Sequence, residues 1–138
     1  GSKVLLMSPT LRRRLSAAAR VVSAVGNLTY GRDELGRQYY EYNSVPIVEL
    51  DYDATGSPIL PFTEVCGSSS ACSSIYCLSL GYGGVTLISN GGLQLRDLGE
   101  LATQPVRRIR FEYLVGMAVF HPRSLARLEG ITNAAVAA

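Results

Sequence analysis

The sequence predicts an α+β domain built on a central mixed or antiparallel sheet, with one long flanking helix and a short C-terminal helix. Three observations predict it. Near the N-terminus, Leu11, Leu15, Ala18, Val22 and Val25 recur at alternating spacings of four and three, which lays one apolar stripe along a helix. The rest of the chain is mostly short, β-rich segments separated by Gly, Asn and Asp turns. The chain also has 138 residues, 47% hydrophobic and 17% charged, which is enough apolar material for one ordinary core.

Val4 to Met7 reads as a short buried strand. Ser8-Pro9 supplies an N-cap and a proline at the first helical position. The helix runs from Pro9 to about Val25, and Gly26-Asn27 stops it. Gly1-Ser2-Lys3 reads as a tag remnant or linker, residues 4–131 as a single domain and residues 132–138 as a flexible tail.

Arg37 to Tyr42 is an aromatic strand, Asn43-Ser44 a turn, and Val45 to Leu50 a second strand. Pro46 places that second strand at an edge or at its own start. Asp53-Ala54-Thr55-Gly56 signals a turn, and Gly67 to Ser74 a small polar loop. Ser74 to Leu80 and Val85 to Ser89 are short strands. Asn90-Gly91 predicts a hairpin that returns along Leu93 to Leu98.

Val106 to Phe120 is the longest strand candidate. Ile109, Phe111, Tyr113 and Val115 share one face, and Arg108, Arg110 and Glu112 the other. After Gly116 the run is wholly apolar, which predicts two-sided burial. Arg123 to Leu128, ahead of Gly130, predicts the short C-terminal helix.

The chemistry-bearing residues form no catalytic constellation. The one histidine, His121, sits between an apolar run and Pro122, where a structural role is expected. Cys66, Cys72 and Cys77 are odd in number and form no CxxC pair, so neither a disulfide framework nor a zinc site is expected. Asp51 and Asp53 flank a turn but lack the further ligands of a calcium loop. The glycines at 81, 83, 84, 91 and 92 open no helix and carry no phosphate-loop signature. No cofactor and no metal are therefore expected. A net charge of +2 gives no strong pull toward nucleic acid or anionic lipid, and no apolar run is long enough for a membrane-spanning helix.

Contact residues remain. Arg12 and Arg13 form one basic group, and Arg108, Arg110 and Glu112 a strand face suited to ion pairs within or between subunits. Tyr39, Tyr40 and Tyr42 make both faces of one strand aromatic. They suit either a surface buried on assembly or an aromatic core around the sheet. These eight residues are the candidate subunit interface.

Five segments, taken in order, resemble tailed-phage major capsid proteins of the Hong Kong ninety-seven type. Leu5-Leu6-Met7 with the helix from Pro9 resembles that family's "v-M-N-p" step into a helix. Val45-Pro46-Ile47-Val48 resembles its "G-x-P-V-V" strand, and Ser74-Ile75-Tyr76-Cys77-Leu78-Ser79-Leu80-Gly81 its "s-I-Y-a-v-r-f-G" strand. Leu95-Arg96-Asp97-Leu98-Gly99-Glu100 is similar to a "v-R-d-l-G-e" segment of one subgroup. Arg110 to Tyr113, with Ala118 to Arg123, is similar to the closing strand and its "h-p-x-a" step.

The resemblance implies the capsid axial domain with part of the peripheral domain, and a structural subunit rather than an enzyme. It implies other copies of the same subunit as partners, packaged DNA at the shell interior, no membrane, and a virion assembled in the bacterial host cytoplasm. The family's N-terminal arm, extended loop and long spine helix have no counterpart here and would precede Lys3. Lys3 is the only lysine, so self-crosslinking by lysine has no support. Two other readings stand beside this one: an encapsulin-like nanocompartment shell, and a small enzyme pairing a cysteine with His121.

Overall fold

The computed structural model describes residues 1–21 and 28–135. A long strand, β6 (Ser69–Leu80), lies at its centre and is paired along both edges. On one edge runs β1 (Ser2–Met7), antiparallel, with Leu6 opposite Tyr76 and Ser2 opposite Leu80. Further along that edge β5 (Glu64–Cys66) takes over. On the other edge runs β11 (Leu125–Thr132), with Leu125 opposite Leu78 and Thr132 opposite Cys72. Beyond β1 the sheet continues through β4 (Val45–Glu49), β3 (Gln38–Tyr42) and β2 (Leu28–Arg32). The β1–β4 pairing is parallel, so the sheet is mixed, as expected.

One helix, α1 (Pro9–Val21), covers this sheet. Ser8 starts it: its Oγ accepts the Leu11 N–H at 3.3 Å and its carbonyl accepts the Arg12 N–H at 3.1 Å. The stripe works as its spacing predicts over the described part. Leu11 is buried against Met7 and Ile47, with Leu15, Tyr40 and Tyr42 packed around them. Val22, Val25 and the Gly26-Asn27 stop lie outside the described residues.

The β3–β4 hairpin turns on Asn43 and Ser44, both with positive φ (49° and 63°). That is the two-residue turn whose twist suits a hairpin, and asparagine tolerates the left-handed region. Pro46 stands second in β4, where a proline costs the ladder least.

Six expectations need correction. The C-terminal helix does not form. Pro122–Ser124 makes a single 3₁₀ turn, and residues 125–132 are strand β11. Pairing along β6 outweighs a weak local helix signal. The chain enters its first strand at Ser2 rather than Val4, since Ser2 and Lys3 pair with Leu80 and Ser79. The polar stretch before Ser74 is not a loop. From Ser69 onward it belongs to β6, and Cys72, Ser73 and Ser74 are among the most buried side chains described.

The last three corrections concern residues 85–120. Asn90-Gly91 does not close a hairpin between its flanking strands. Instead β7 (Val85–Ser89) pairs with β10 (Val115–Val119), and β8 (Gln94–Leu101) with β9 (Gln104–Glu112). The expected single strand from Val106 to Phe120 is thus two strands, broken at Tyr113-Leu114. The four strands form one interrupted two-stranded ribbon, joined midway by the Asn90 N–H donating to the Leu114 carbonyl at 3.2 Å. The ribbon is held at its base, where Leu80 pairs with Val85 and the Phe120 N–H donates to the Gly84 carbonyl at 2.9 Å. At about 3.3 Å per residue it extends roughly 50 Å. The expected two-sided burial after Gly116 is absent: Met117 is 73% exposed and Phe120 59%.

Candidate functional site

Most of the exposed large apolar side chains among the described residues lie on the ribbon. Its distal half, β8–β9, is a two-stranded sheet with both edges open. Such a hairpin is marginal in water by itself. Register assigns its faces. Leu95 lies opposite Phe111 and Asp97 opposite Ile109, so these share one face. Gln94 opposite Glu112 and Arg96 opposite Arg110 define the other, charged face. Leu95, Ile109 and Phe111 are exposed, although they alternate as if to be covered. On the proximal half, Leu87 opposite Met117 and Ser89 opposite Val115 form a second bare apolar face.

Ion pairs hold the ribbon's charges. Arg107 reaches Asp97 at 2.6 Å, and this guanidinium, with the Gly99 N–H, keeps the Asp97 carboxyl below its ordinary range. Glu112 pairs with Arg110 and lies 3.9 Å from Arg96. Among the described residues, Arg108 and Glu100 have no ion-pair partner.

The other predicted contact residues lie on α1 (Arg12, Arg13) and on β3 of the main sheet (Tyr39, Tyr40, Tyr42). Arg12 pairs with Glu49 at 2.9 Å, and its guanidinium sits 4.4 Å from the Tyr40 ring centre. Tyr40 also packs against Tyr30 at 4.9 Å between ring centres. Together with Ser16, Arg20 and Leu28, these side chains line an open cleft of about 490 Å³. Tyr42 packs beside the core with Tyr40. Tyr39 points the other way and lies across Gly31, where a Cβ would meet its ring at 2.5 Å. Its phenol pKa is raised, chiefly through a hydrogen bond to Glu41. Arg13 is exposed at the rim of a second cleft with Tyr52 and Phe62. The structure thus joins Arg12 on α1 to Tyr40 on the main sheet, and Arg110 to Glu112 on the separate β8–β9 sheet. The tyrosines that suited either surface or core are half-buried, with Tyr40 and Tyr42 leaning on the core.

One polar cluster went unread in the sequence. Ser74 Oγ donates to Glu64 at 2.5 Å and accepts from Arg127 Nε at 3.0 Å, while the Arg127 guanidinium reaches Glu64 at 3.0 Å. These bonds tie β5, β6 and β11 together. They lower the Glu64 pKa, with the Ser74 hydrogen bond the largest cause, and raise that of Arg127. The three residues are 10 and 53 positions apart, and no local pattern relates them.

His121 caps the 3₁₀ turn: its Nδ1 accepts the Arg123 N–H at 3.1 Å. Cys66 is exposed, Cys72 buried and Cys77 intermediate. Among the described residues no group of three or more His, Cys, Asp or Glu side chains could hold a metal ion, and no helix is long and apolar enough to cross a membrane.

A helix-flanked mixed sheet with a projecting ribbon is similar to a chain in the cryoEM structure of the holo-SrpI encapsulin complex from Synechococcus elongatus PCC 7942. The TM-score is 0.64 at 15% identity, over 94% of this chain. The match spans 44% of that chain, less than half its length. No protein-family model matches the sequence, and no curated protein matches it.

Proposed function

We propose that this chain is a shell-forming structural subunit that acts through contacts with further copies of itself rather than by catalysis. One observation carries the reading. The chain exposes 10155 Å² of accessible surface, whereas a compact monomer of its 14.8 kDa mass exposes about 7,000 Å². Large apolar side chains on the ribbon, Leu87, Phe111 and Met117 among them, are part of that exposed surface. The capsid-like fold supports the same reading.

The finer reading is a tailed-phage capsid, supported by the ordered resemblance of five segments. It carries packaged DNA at the shell interior as a second partner and the virion as its place, assembled in the bacterial host cytoplasm. An encapsulin-like compartment is the second reading, favoured by the structural likeness. Electron microscopy of the protein expressed from its complete coding sequence tests the shared claim: closed or partly closed particles support it, and dispersed monomers refute it. Analysing the particle contents separates the two finer readings. DNA that resists nuclease until the particles are opened favours the phage capsid, and an enclosed enzyme favours the compartment.

A further inference from the structure

We infer that the ribbon carries a built-in hinge, made by Gly91-Gly92, about which its distal half tilts as a unit. The hinge lies within the chain and does not depend on what covers the ribbon in the complete protein.

Register shows where the hinge comes from. Ser89 lies opposite Val115 at the end of the proximal half, and Gln94 opposite Glu112 at the start of the distal half. Between these two pairs one arm holds four residues, Asn90 to Leu93, and the other holds two, Tyr113 and Leu114. One arm is therefore longer by two. Without Gly91 and Gly92, Asn90 falls opposite Leu114 and Leu93 opposite Tyr113, and one register runs from β7–β10 into β8–β9. The two glycines are an insert in a hairpin that is otherwise in phase across the joint.

The insert is built to bend. Gly91 and Gly92 both hold φ at 76°, and a Cβ on Gly92 would meet no atom within 4 Å. Glycine absorbs large backbone changes at such positions with no side chain in the way. Among the described residues, the one backbone hydrogen bond across the joint runs from Asn90 to Leu114. Leu93, Tyr113 and Leu114 are exposed, so no buried side chain locks the joint. A cavity of about 260 Å³, lined by Asn90, Gly92, Gln94, Arg96, Glu112 and Leu114, leaves room for the tilt. The distal half keeps its own shape meanwhile. Its ion pairs, Arg107 to Asp97 and Arg96 and Arg110 to Glu112, all lie within β8–β9 and none crosses the joint. From Gln94 to Leu101 that half is roughly 27 Å long, so a swing of about 20° moves its tip by roughly 9 Å.

The test uses the protein expressed from its complete coding sequence, with spin labels on unnatural amino acids at exposed sites. Labelled protein is diluted into unlabelled protein, so that only distances within one chain are read. Thr29 on β2 with Ile88 on β7 is the reference pair, and Thr29 with Gln104 on β9 spans the joint. The spanning pair gives a distance distribution broader than the reference by about 9 Å. Deleting Gly91 and Gly92 narrows it to the reference width. Equal widths for the two pairs in the unaltered protein overturn the inference. So does a deletion variant whose reference pair stays narrow while the spanning pair stays broad. If the deletion widens the reference pair, the fold itself is damaged, and the widths in the unaltered protein alone decide.

Discussion

Leu95 stands directly opposite Phe111 across the distal ribbon, and the two side chains are 61% and 64% exposed. A large apolar cross-strand pair stabilises a hairpin, yet here one whole side of the pair faces water. The local rule is satisfied and the global rule is not. On the proposed reading, a further surface covers that side.

Phe111→Ser separates the two levels. The side chain is exposed, so the substitution alters unfolding stability by about 0.5 kcal/mol or less. It removes the largest apolar side chain from the face carrying Leu95 and Ile109, so self-association falls sharply. Urea unfolding alongside sedimentation measures both. A loss of stability with association intact contradicts the assignment of this face to assembly.

The core makes the opposite prediction. Met7 is 1% exposed and packs with Leu11 and Ile47 where strand, helix and parallel neighbour meet. Met7→Ala lowers unfolding stability by about 2–5 kcal/mol. Denaturant titration reads it as a lower midpoint with an unchanged slope.

Two adjacent serines on β6 have opposite effects. Ser73 Oγ is buried with no hydrogen-bond partner among the described residues. Ser73→Ala removes an unmet hydroxyl at little change in shape, and raises stability by about 1 kcal/mol. Ser74→Ala strips Glu64 and Arg127 of their shared partner and lowers stability. Thermal unfolding of the pair at neutral pH checks the signs.

Acid acts through the same cluster. The folded-state pKa of Glu64 lies below its ordinary value of 4.5. A lowered carboxylate contributes stability that is fully present above the unfolded value and is lost as pH falls through the folded one. Glu64 therefore steepens the loss of stability below about pH 4.5. Glu64→Gln is less stable at neutral pH, and its melting temperature falls less steeply than wild type over that acid window. Parallel curves for the two proteins would show that the cluster does not act as described.

Much of the main sheet was legible because its signals are local. Ser8-Pro9 and the leucines at 11 and 15 specify a capped, one-faced helix. Asn43-Ser44 between two β-rich runs specifies a hairpin. The ribbon was illegible for the same reason reversed. Asn90-Gly91 carries a strong local hairpin signal, but β7 passes over both β8 and β9 to pair with β10, and Asn90 ends up bonded to Leu114 in mid-ribbon. Ser73 and Ser74 read as loop because serine is common there. Their burial comes from strands on both edges of β6, which composition does not encode. Of the contact residues, Arg108, Arg110 and Glu112 fall on the ribbon as their alternation suggests. The apolar residues opposite them read as core because alternation shows that a face is covered, without showing which chain covers it.

The most direct test is the size in solution of the protein expressed from its complete coding sequence, followed by sedimentation velocity from micromolar to sub-millimolar concentration. A shell-forming subunit predicts species many times heavier than one chain. A single species of one-chain mass across that whole range would contradict it.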